Sequence, residues 1–206
     1  KRLGVSPNAF VIITVGTIKP RKNQSFVTRS FAKALNENLD REMLLIHVGA
    51  NSKDKGAHNA HIINQVYNEE QKIKKILEKE KIEERVILTG QKNNVNNYLQ
   101  IADVFVHASV EEGEANVINE ALAYGLPCVL PDGNIYKSQA PTTTSIFYLA
   151  NSEVDLSEKI NVLINDQKTL KEKGENARYH IITSRDPELI GQYYKKLFNT
   201  LIERGT

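Results

Sequence analysis

The sequence of 206 residues is poor in several features, and each shortage excludes a class of protein. Its one cysteine, Cys128, excludes an intrachain disulfide and a metal site made only of cysteines. No run of about 18 apolar residues is present, so we expect no transmembrane helix. The amino terminus lacks the apolar stretch of a signal peptide and an initiator methionine. We therefore expect the chain to be the inner part of a longer protein.

An excess of charge of one sign is also missing. The 27 basic and 25 acidic residues leave a formal net charge of +2. Proteins that bind nucleic acid usually gather an excess of Lys and Arg on one face, so we expect no nucleic-acid partner. What is present is a globular composition, in which 40% of the residues are hydrophobic. Cys128 lies in an apolar run and is expected to be a buried structural thiol.

Apolar, β-branched runs alternate with amphipathic segments through most of the chain. The first run, Ala9 to Gly16, is typical of a strand buried on both faces of a parallel sheet. Five further strands are predicted over residues 43–49, 85–89, 103–107, 127–130 and 145–149. Helices are predicted from residue 23 and over 66–81, 95–102 and 116–124, with loops over 19–22 and 51–64.

This alternation predicts an α/β fold with a Rossmann-like, doubly wound parallel sheet. We interpret residues 1–206 as one domain, closed by a tail of two or three helices over residues 152–206. Ligands of such open sheets bind beyond the carboxyl ends of the strands. The loops that reach that edge are predicted over residues 16–22, 49–51, 89–93, 107–114 and 131–134.

One of these loops carries the most informative residues. With a helix start near Glu114 or Ala115, Glu112 lies just before the amino end of the helix predicted over 116–124, and Glu120 lies about one and a half turns inside it. The free N–H groups and the positive end of the helix dipole form an anion site, suited to a diphosphate. Gly113 lets the backbone approach a ligand closely. Two carboxylates beside a phosphate site indicate a ligand that also carries hydroxyl groups, because a carboxylate accepts hydrogen bonds from a vicinal diol.

The spacing beyond Glu112 resembles a known signature. After Glu112-Gly113 come Val117, Glu120-Ala121 and the run Gly125-Leu126-Pro127-Cys128-Val129. This pattern is similar to the Glu-x7-Glu signature of the retaining glycosyltransferase family 4, the glycosyl transferases group 1. The stretch over 101–109, the pair Val15-Gly16 with Lys22, and the helical tail resemble the family too. The resemblance implies the carboxyl-terminal, donor-binding half of a GT-B enzyme, in which two Rossmann-like domains face each other.

The resemblance also implies roles for individual residues. Glu112 and Lys22 would be catalytic, with Glu112 facing the donor sugar and Lys22 pairing with the diphosphate. Glu120 would hold the ribose hydroxyls, and the turn Thr89-Gly90-Gln91 would cradle the base. The other donor-binding residues implied are Gly16, Thr17, Arg21, Gly113, Glu114, Ala115, Asn116 and Val117.

We expect neither a metal nor any other cofactor. No Asp-x-Asp motif is present, and a lysine with a helix terminus can replace the charge of a metal ion. A cation beside a phosphate leaving group stabilises the transition state more than the ground state, in agreement with the role of Lys22. His58 and His61 are three residues apart, but in a predicted loop they are weak candidates for a metal site.

Some positions depart from the family pattern. Thr17 replaces the usual arginine after the first-strand glycine, and Arg21 could supply the missing charge. Asn23 replaces a usual glycine, and Glu114 stands where an aromatic residue is common. An acid at that position could select an amino sugar or another hydrogen-bond-donating sugar. The segment over 131–144 also differs from the usual glycine-rich stretch.

The function implied is transfer of a sugar from a nucleotide sugar, such as a UDP- or GDP-sugar, with retention of configuration. The acceptor would be a saccharide or a lipid-linked sugar bound by a missing amino-terminal domain, so we expect the chain alone to be inactive. The family resemblance suggests polysaccharide or glycolipid assembly in the cytoplasm, at the inner face of a bacterial membrane, with any membrane contact made through the missing half. Two alternatives stay open: a non-catalytic nucleotide-sugar-binding relative, and a GT-B epimerase or phosphorylase.

Overall fold

A parallel sheet of six strands forms the centre of the computed structural model, which describes residues 5–52, 54 and 60–204. The strands are β1 (Phe10–Val15), β2 (Met43–Val48), β3 (Val86–Leu88), β4 (Val104–Val106), β5 (Cys128–Pro131) and β6 (Ser145–Tyr148). Their order across the sheet is β3-β2-β1-β4-β5-β6, and every pairing between neighbours is parallel. Strands β2 and β3 lie on one side of β1, and strands β4 to β6 lie on the other. The ligand crevice of an open α/β sheet is expected at this change in strand order, between β1 and β4.

Helices cover both faces of this sheet. They are α1 (Gln24–Asn36), α2 (Ala60–Glu80), α3 (Val95–Leu99), α4 (Asn116–Ala123), α5 (Asn134–Gln139), α6 (Glu153–Asn165), α7 (Gln167–Ser184) and α8 (Pro187–Arg204). The predicted fold class, a doubly wound parallel sheet with a helical tail, is confirmed. Within the described ranges, no helix is both long enough and apolar enough to cross a membrane.

Alternate residues of β1 enter two separate cores. Ile12 belongs to a core that also contains Phe31 of α1 and Ile160 of α6. Ile13 points to the opposite face and belongs to a core with Ile118 of α4 and Leu99 of α3. Because both faces of the strand are buried, its sequence is apolar at every position except Thr14 instead of alternating.

A buried histidine connects three elements on one side of the sheet. His47 of β2 is 1% exposed, and its Nδ1 and Nε2 lie 2.7 and 3.0 Å from the hydroxyls of Thr14 in β1 and Thr28 in α1. Burial lowers the pKa of His47 to about 3. The ring is therefore neutral at pH 7, and it ties α1 to β1 and β2.

The structure corrects several predicted boundaries. Helix α2 begins at Ala60, so the polar loop predicted over 51–64 is too long. No glycine or proline follows Gly56 before Val66, and nothing in the sequence stops the helix from extending toward the amino terminus. His61 therefore lies in a helix and not in a loop, while His58 lies outside the described residues.

Helix α5 was not predicted. Its turn is stabilised by tertiary contacts, since Tyr136 and Gln139 are buried and the Tyr136 hydroxyl donates to the carbonyl of Ser109 at 2.9 Å. The predicted loop over 19–22 contains a 3-10 turn at Pro20–Lys22, and α3 ends at Leu99, three residues before its predicted end.

Candidate functional site

Two loops meet beyond the carboxyl ends of β1 and β4. The carbonyl of Arg21, in the β1–α1 loop, accepts hydrogen bonds from the Ser109 hydroxyl and from the N–H of Val110, both at 3.0 Å. The side-chain amide of Gln24, at the start of α1, donates to the carbonyls of Gly16 and Thr17. The Gln24 bonds fix the shape of the β1–α1 loop. The Arg21 bonds hold this loop against the loop that leads to α4, although the two lie about ninety residues apart in the chain.

A half-buried cluster of opposite charges lies where these loops meet. The Lys22 ammonium contacts Oε1 of Glu112, and the Arg21 guanidinium lies 3.4 Å from Oε2. Arg21 also donates to the carbonyl of Glu111 at 2.6 Å. Burial by itself would raise the pKa of Glu112, but hydrogen bonds from Lys22 and Ser109 and the charges of Lys22 and Arg21 lower it. Glu112 is therefore held as an anion, paired with two cations.

His107, at the end of β4, completes this cluster and was not among the predicted site residues. Its side chain is 4% exposed, and its Nε2 lies 3.6 Å from Oε1 of Glu112. That nitrogen has no hydrogen-bond partner among the described residues. Burial, followed by the charge of Lys22, lowers the pKa of His107 to about 4, so the ring is neutral at pH 7. The signals in the sequence were its position at the end of a strand run and in a loop predicted to reach the ligand edge of the sheet.

The amino end of α4 is held by a residue that the sequence did not suggest. The side chain of Gln139, in α5, accepts from the N–H of Ala115 at 3.3 Å and donates to the carbonyl of Ala115 at 2.7 Å. The N–H of Ala115 is thus occupied within the chain. Within the described part of the protein, the N–H groups of Asn116 and Val117 have no acceptor. They are two of the four free donors that any helix start presents.

The two acids of the predicted signature differ in their surroundings. Glu112 is paired inside the loop cluster, whereas the carboxylate of Glu120 is exposed on α4. Glu120 makes no ion pair with the described residues, and its position leaves it accessible to a ligand. Glu114 forms a 2.9 Å ion pair with Arg185, which follows α7. Gly113 has open space where a side chain would be.

A separate cleft is lined by one of the three residues predicted to cradle the base, Gln91, together with residues at the end of β1. It has a volume of about 260 Å³, and Gly16, Thr17 and Gln91 are among the residues that line it. The turn over Thr89, Gly90 and Gln91 is fixed in two ways. The Thr89 hydroxyl donates to the carbonyl of Gly90 at 2.8 Å, and the carboxylate of Asp54 accepts from the N–H of Gln91 at 2.9 Å.

Gly49 allows the ends of β1 and β2 to come this close. Its φ is +155°, and a Cβ atom at this position would lie 2.0 Å from the carbonyl oxygen of Gly16. Only glycine fits such an approach of two backbones.

No group of three or more His, Cys, Asp and Glu side chains that could hold a metal ion occurs among the described residues. His61 contacts Gln65, one helical turn away, at 2.9 Å. The absence of a metal requirement stays a prediction.

The fold is that of one half of a GT-B protein. The Anabaena protein HepE, solved in complex with UDP and glucose, superposes on 96% of this chain with a TM-score of 0.79 and 20% sequence identity. The match covers 50% of the HepE chain. The sequence profile of the family Glycosyl transferases group 1 matches residues 1–180. The chain therefore belongs to this family, as the signature around Glu112 predicted.

Curated relatives support the same membership. The chain is 26% identical over 185 residues to the UDP-Gal:alpha-D-GlcNAc-diphosphoundecaprenol alpha-1,3-galactosyltransferase of Escherichia coli. That match covers 88% of this chain and 43% of the relative. The chain is also 24% identical over 203 residues to the N-acetyl-alpha-D-glucosaminyl L-malate synthase of Bacillus anthracis, which covers 98% of this chain and 48% of the relative. The chain thus spans about half the length of the relatives it matches.

Proposed function

We propose that this chain is the donor-binding half of a retaining, metal-independent glycosyltransferase that uses a nucleotide sugar such as a UDP- or GDP-sugar. The observation that carries the proposal is the cluster of Lys22, Arg21 and Glu112 beside the start of α4. It brings two cations, free helix N–H groups and a carboxylate to the carboxyl edge of a parallel sheet, where such folds bind nucleotides.

In this proposal Lys22 and Arg21 stabilise the diphosphate leaving group. When the bond between the sugar and the diphosphate breaks, negative charge grows on the phosphate oxygen. Lys22 and Arg21 stabilise that charge more strongly in the transition state than in the ground state. The N–H groups of Asn116 and Val117 add donors to the same diphosphate. Arg21 takes over the charge of the arginine that Thr17 replaces, which is consistent with its position 3.4 Å from Glu112.

The acids bind the sugar parts of the donor. Glu112 leaves Lys22 when the diphosphate arrives and accepts hydrogen bonds from hydroxyl groups of the donor sugar. Glu120, exposed on α4, accepts from the two ribose hydroxyls. The base enters the cleft lined by Gly16, Thr17 and Gln91. Glu114 contacts the sugar only if it leaves Arg185, and a sugar with an N–H donor favours that exchange.

The whole protein would place an acceptor opposite this site. The Escherichia coli relative, by its name, transfers galactose from UDP-galactose to a sugar carried on diphosphoundecaprenol. By analogy, we propose a saccharide or lipid-linked sugar as acceptor, bound by the half of the protein outside this chain. Assembly of cell-surface glycans at the cytoplasmic face of a bacterial membrane is the setting that this analogy supports.

A binding screen on the full-length protein tests this proposal. UDP, GDP and ADP are each added during thermal unfolding, because a ligand at 100 times its Kd stabilises the folded state by about 2.7 kcal/mol. At least one of the three should raise Tm, with or without Mg²⁺. Lys22→Ala should abolish most of the shift, while Lys33→Ala, which removes an exposed lysine of α1, should leave it unchanged. If none of the three nucleotides binds the wild-type protein, the proposal fails.

A non-catalytic nucleotide-sugar-binding relative is the second candidate, favoured by Thr17 in place of the family's usual arginine. The two candidates differ in turnover alone. An enzyme consumes its donor in the presence of acceptor and loses this activity in Glu112→Ala. A binding protein shows the Tm shift without consuming any donor.

A further inference from the structure

His107 is the one group in the charged cluster that its surroundings leave unsatisfied. Its ring stacks on Phe105 and meets the edge of Tyr136, with centroids 6.2 and 5.8 Å away. These contacts fix the ring in place, with Nε2 facing Oε1 of Glu112 at 3.6 Å. Buried polar atoms without a partner are rare in folded proteins, and each one calls for an explanation.

The missing partner is explained by the position of Lys22. Oε1 of Glu112, the oxygen nearest to His107, is also the one that the Lys22 ammonium contacts. While Lys22 occupies that oxygen, the carboxylate is drawn toward the lysine. A normal N–H···O bond has a length of about 2.9 Å, so a movement of less than about 1 Å would bring Oε1 within bonding distance of the imidazole.

We propose that His107 is a positioning residue. When a diphosphate draws Lys22 away from Glu112, the Nε2–H of His107 donates a hydrogen bond to Oε1 of that carboxylate. This inference rests on the proposed function. Without His107, the carboxylate would face the donor sugar in a site from which both cations had turned toward the phosphates. With it, one buried and rigid donor keeps Oε1 in place and leaves Oε2 directed at the sugar. A neutral donor is suited to this task, because it orients the carboxylate without neutralising it.

The first test reads the imidazole directly. Side-chain ¹⁵N spectra of the full-length protein are recorded before and after addition of UDP, GDP or ADP, and His107→Gln identifies the signal of His107. The expected result is a neutral ring with its proton on Nε2. On nucleotide binding, that proton should move downfield and exchange more slowly with water. A proton on Nδ1 in the complex, or a signal that nucleotide binding leaves unchanged, would overturn the inference.

The second test separates positioning from packing. In His107→Leu, kcat for release of the nucleoside diphosphate from UDP-, GDP- or ADP-glucose, whichever the wild type consumes, should fall about tenfold, the scale of one hydrogen bond to a charged group. The Kd of the free diphosphate should stay within about twofold. His107→Gln, whose amide nitrogen can occupy the place of Nε2, should recover most of kcat. His107→Asn, whose shorter side chain cannot, should resemble His107→Leu.

The outcomes distinguish failure of the proposed function from failure of the role of His107. If the wild-type protein binds none of the three diphosphates, the proposed function fails and the role of His107 fails with it. If a diphosphate binds but His107→Leu keeps the wild-type kcat, only the role of His107 is refuted. It is also refuted if kcat and Kd deteriorate together, Tm drops, and His107→Gln is no better than His107→Leu. In that case the residue serves packing.

Discussion

Replacing the carboxylate of Glu112 should make a nucleoside diphosphate bind more tightly. Lys22 and Arg21 are paired with Glu112, so a diphosphate must compete with this carboxylate for both cations. Glu112→Gln keeps the volume of the side chain and removes its charge. The cations are then released for the ligand, and the repulsion between Glu112 and the phosphates disappears.

The magnitude follows from the burial of the pair. The side chains of Lys22 and Glu112 are 16% and 9% exposed, so their interaction lies between two limits. Exposed ion pairs contribute about 0–1 kcal/mol, and breaking a buried pair costs about 3–5 kcal/mol. We take about 1–1.5 kcal/mol for the part that the ligand recovers, which corresponds to a decrease in Kd of about five- to tenfold.

Isothermal titration calorimetry at constant ionic strength measures this change, since salt screens interactions between exposed charges. A double-mutant cycle provides the control. In a Lys22→Met background, Glu112→Gln should improve binding by much less, because the cation that it releases is gone. The same substitution should lower sugar transfer, because the donor sugar loses its carboxylate. Weaker binding of the diphosphate to Glu112→Gln, or an equal gain in both backgrounds, would refute the competition between carboxylate and phosphate.

Three further predictions concern the framework of the site. Gln139→Leu removes both bonds to the buried peptide of Ala115, so the free energy of unfolding should fall by about 1–3 kcal/mol and diphosphate binding should weaken. Gly49→Ala places a methyl group against the carbonyl of Gly16, so chemical denaturation should show a loss of several kcal/mol, at the upper end of single-substitution effects. For His47, with an ordinary pKa of 6.5 and a folded value of about 3, the contribution of the neutral ring to the free energy of unfolding is fully present above pH 6.5. It is lost as pH falls toward 3, by at most about 1.4 kcal/mol per pH unit, because only the unfolded chain takes up the proton.

Matched variants check these predictions. Ser138→Ala changes the exposed neighbour of Gln139 and should leave both stability and binding nearly unchanged. An equal loss in both variants would argue against a role for the two hydrogen bonds between Gln139 and Ala115. Gly113→Ala, in open space, should be tolerated where Gly49→Ala is not. His47→Gln should show a shallower decline of stability between pH 6.5 and 4.5 than the wild type. Equal slopes would show that His47 is not held neutral.

Much of the fold could be predicted because its determinants are local. A strand such as β1, buried on both faces, is apolar over most of its length, and this pattern is visible without coordinates. Helix α4 and the acid before it were recognisable for the same reason, because residues close together in the sequence also lie close together in the structure. Boundaries were less accurate where no local signal marks them, as at the start of α2, or where long-range contacts create the turn, as in α5.

The sequence by itself determined the sheet, the family, and the presence of Lys22 and Glu112 at loops of one edge. The tertiary structure decided what these residues do to one another. It paired Lys22 with Glu112 and left Nε2 of His107 beside them without a hydrogen-bond partner among the described residues. It also placed the side chain of Gln139, from a helix that was not predicted, against the peptide of Ala115. The reason is physical. A change of a few tenths of an ångström between two atoms decides whether a hydrogen bond or ion pair forms, and those distances are set by the packing of segments that are distant in the chain.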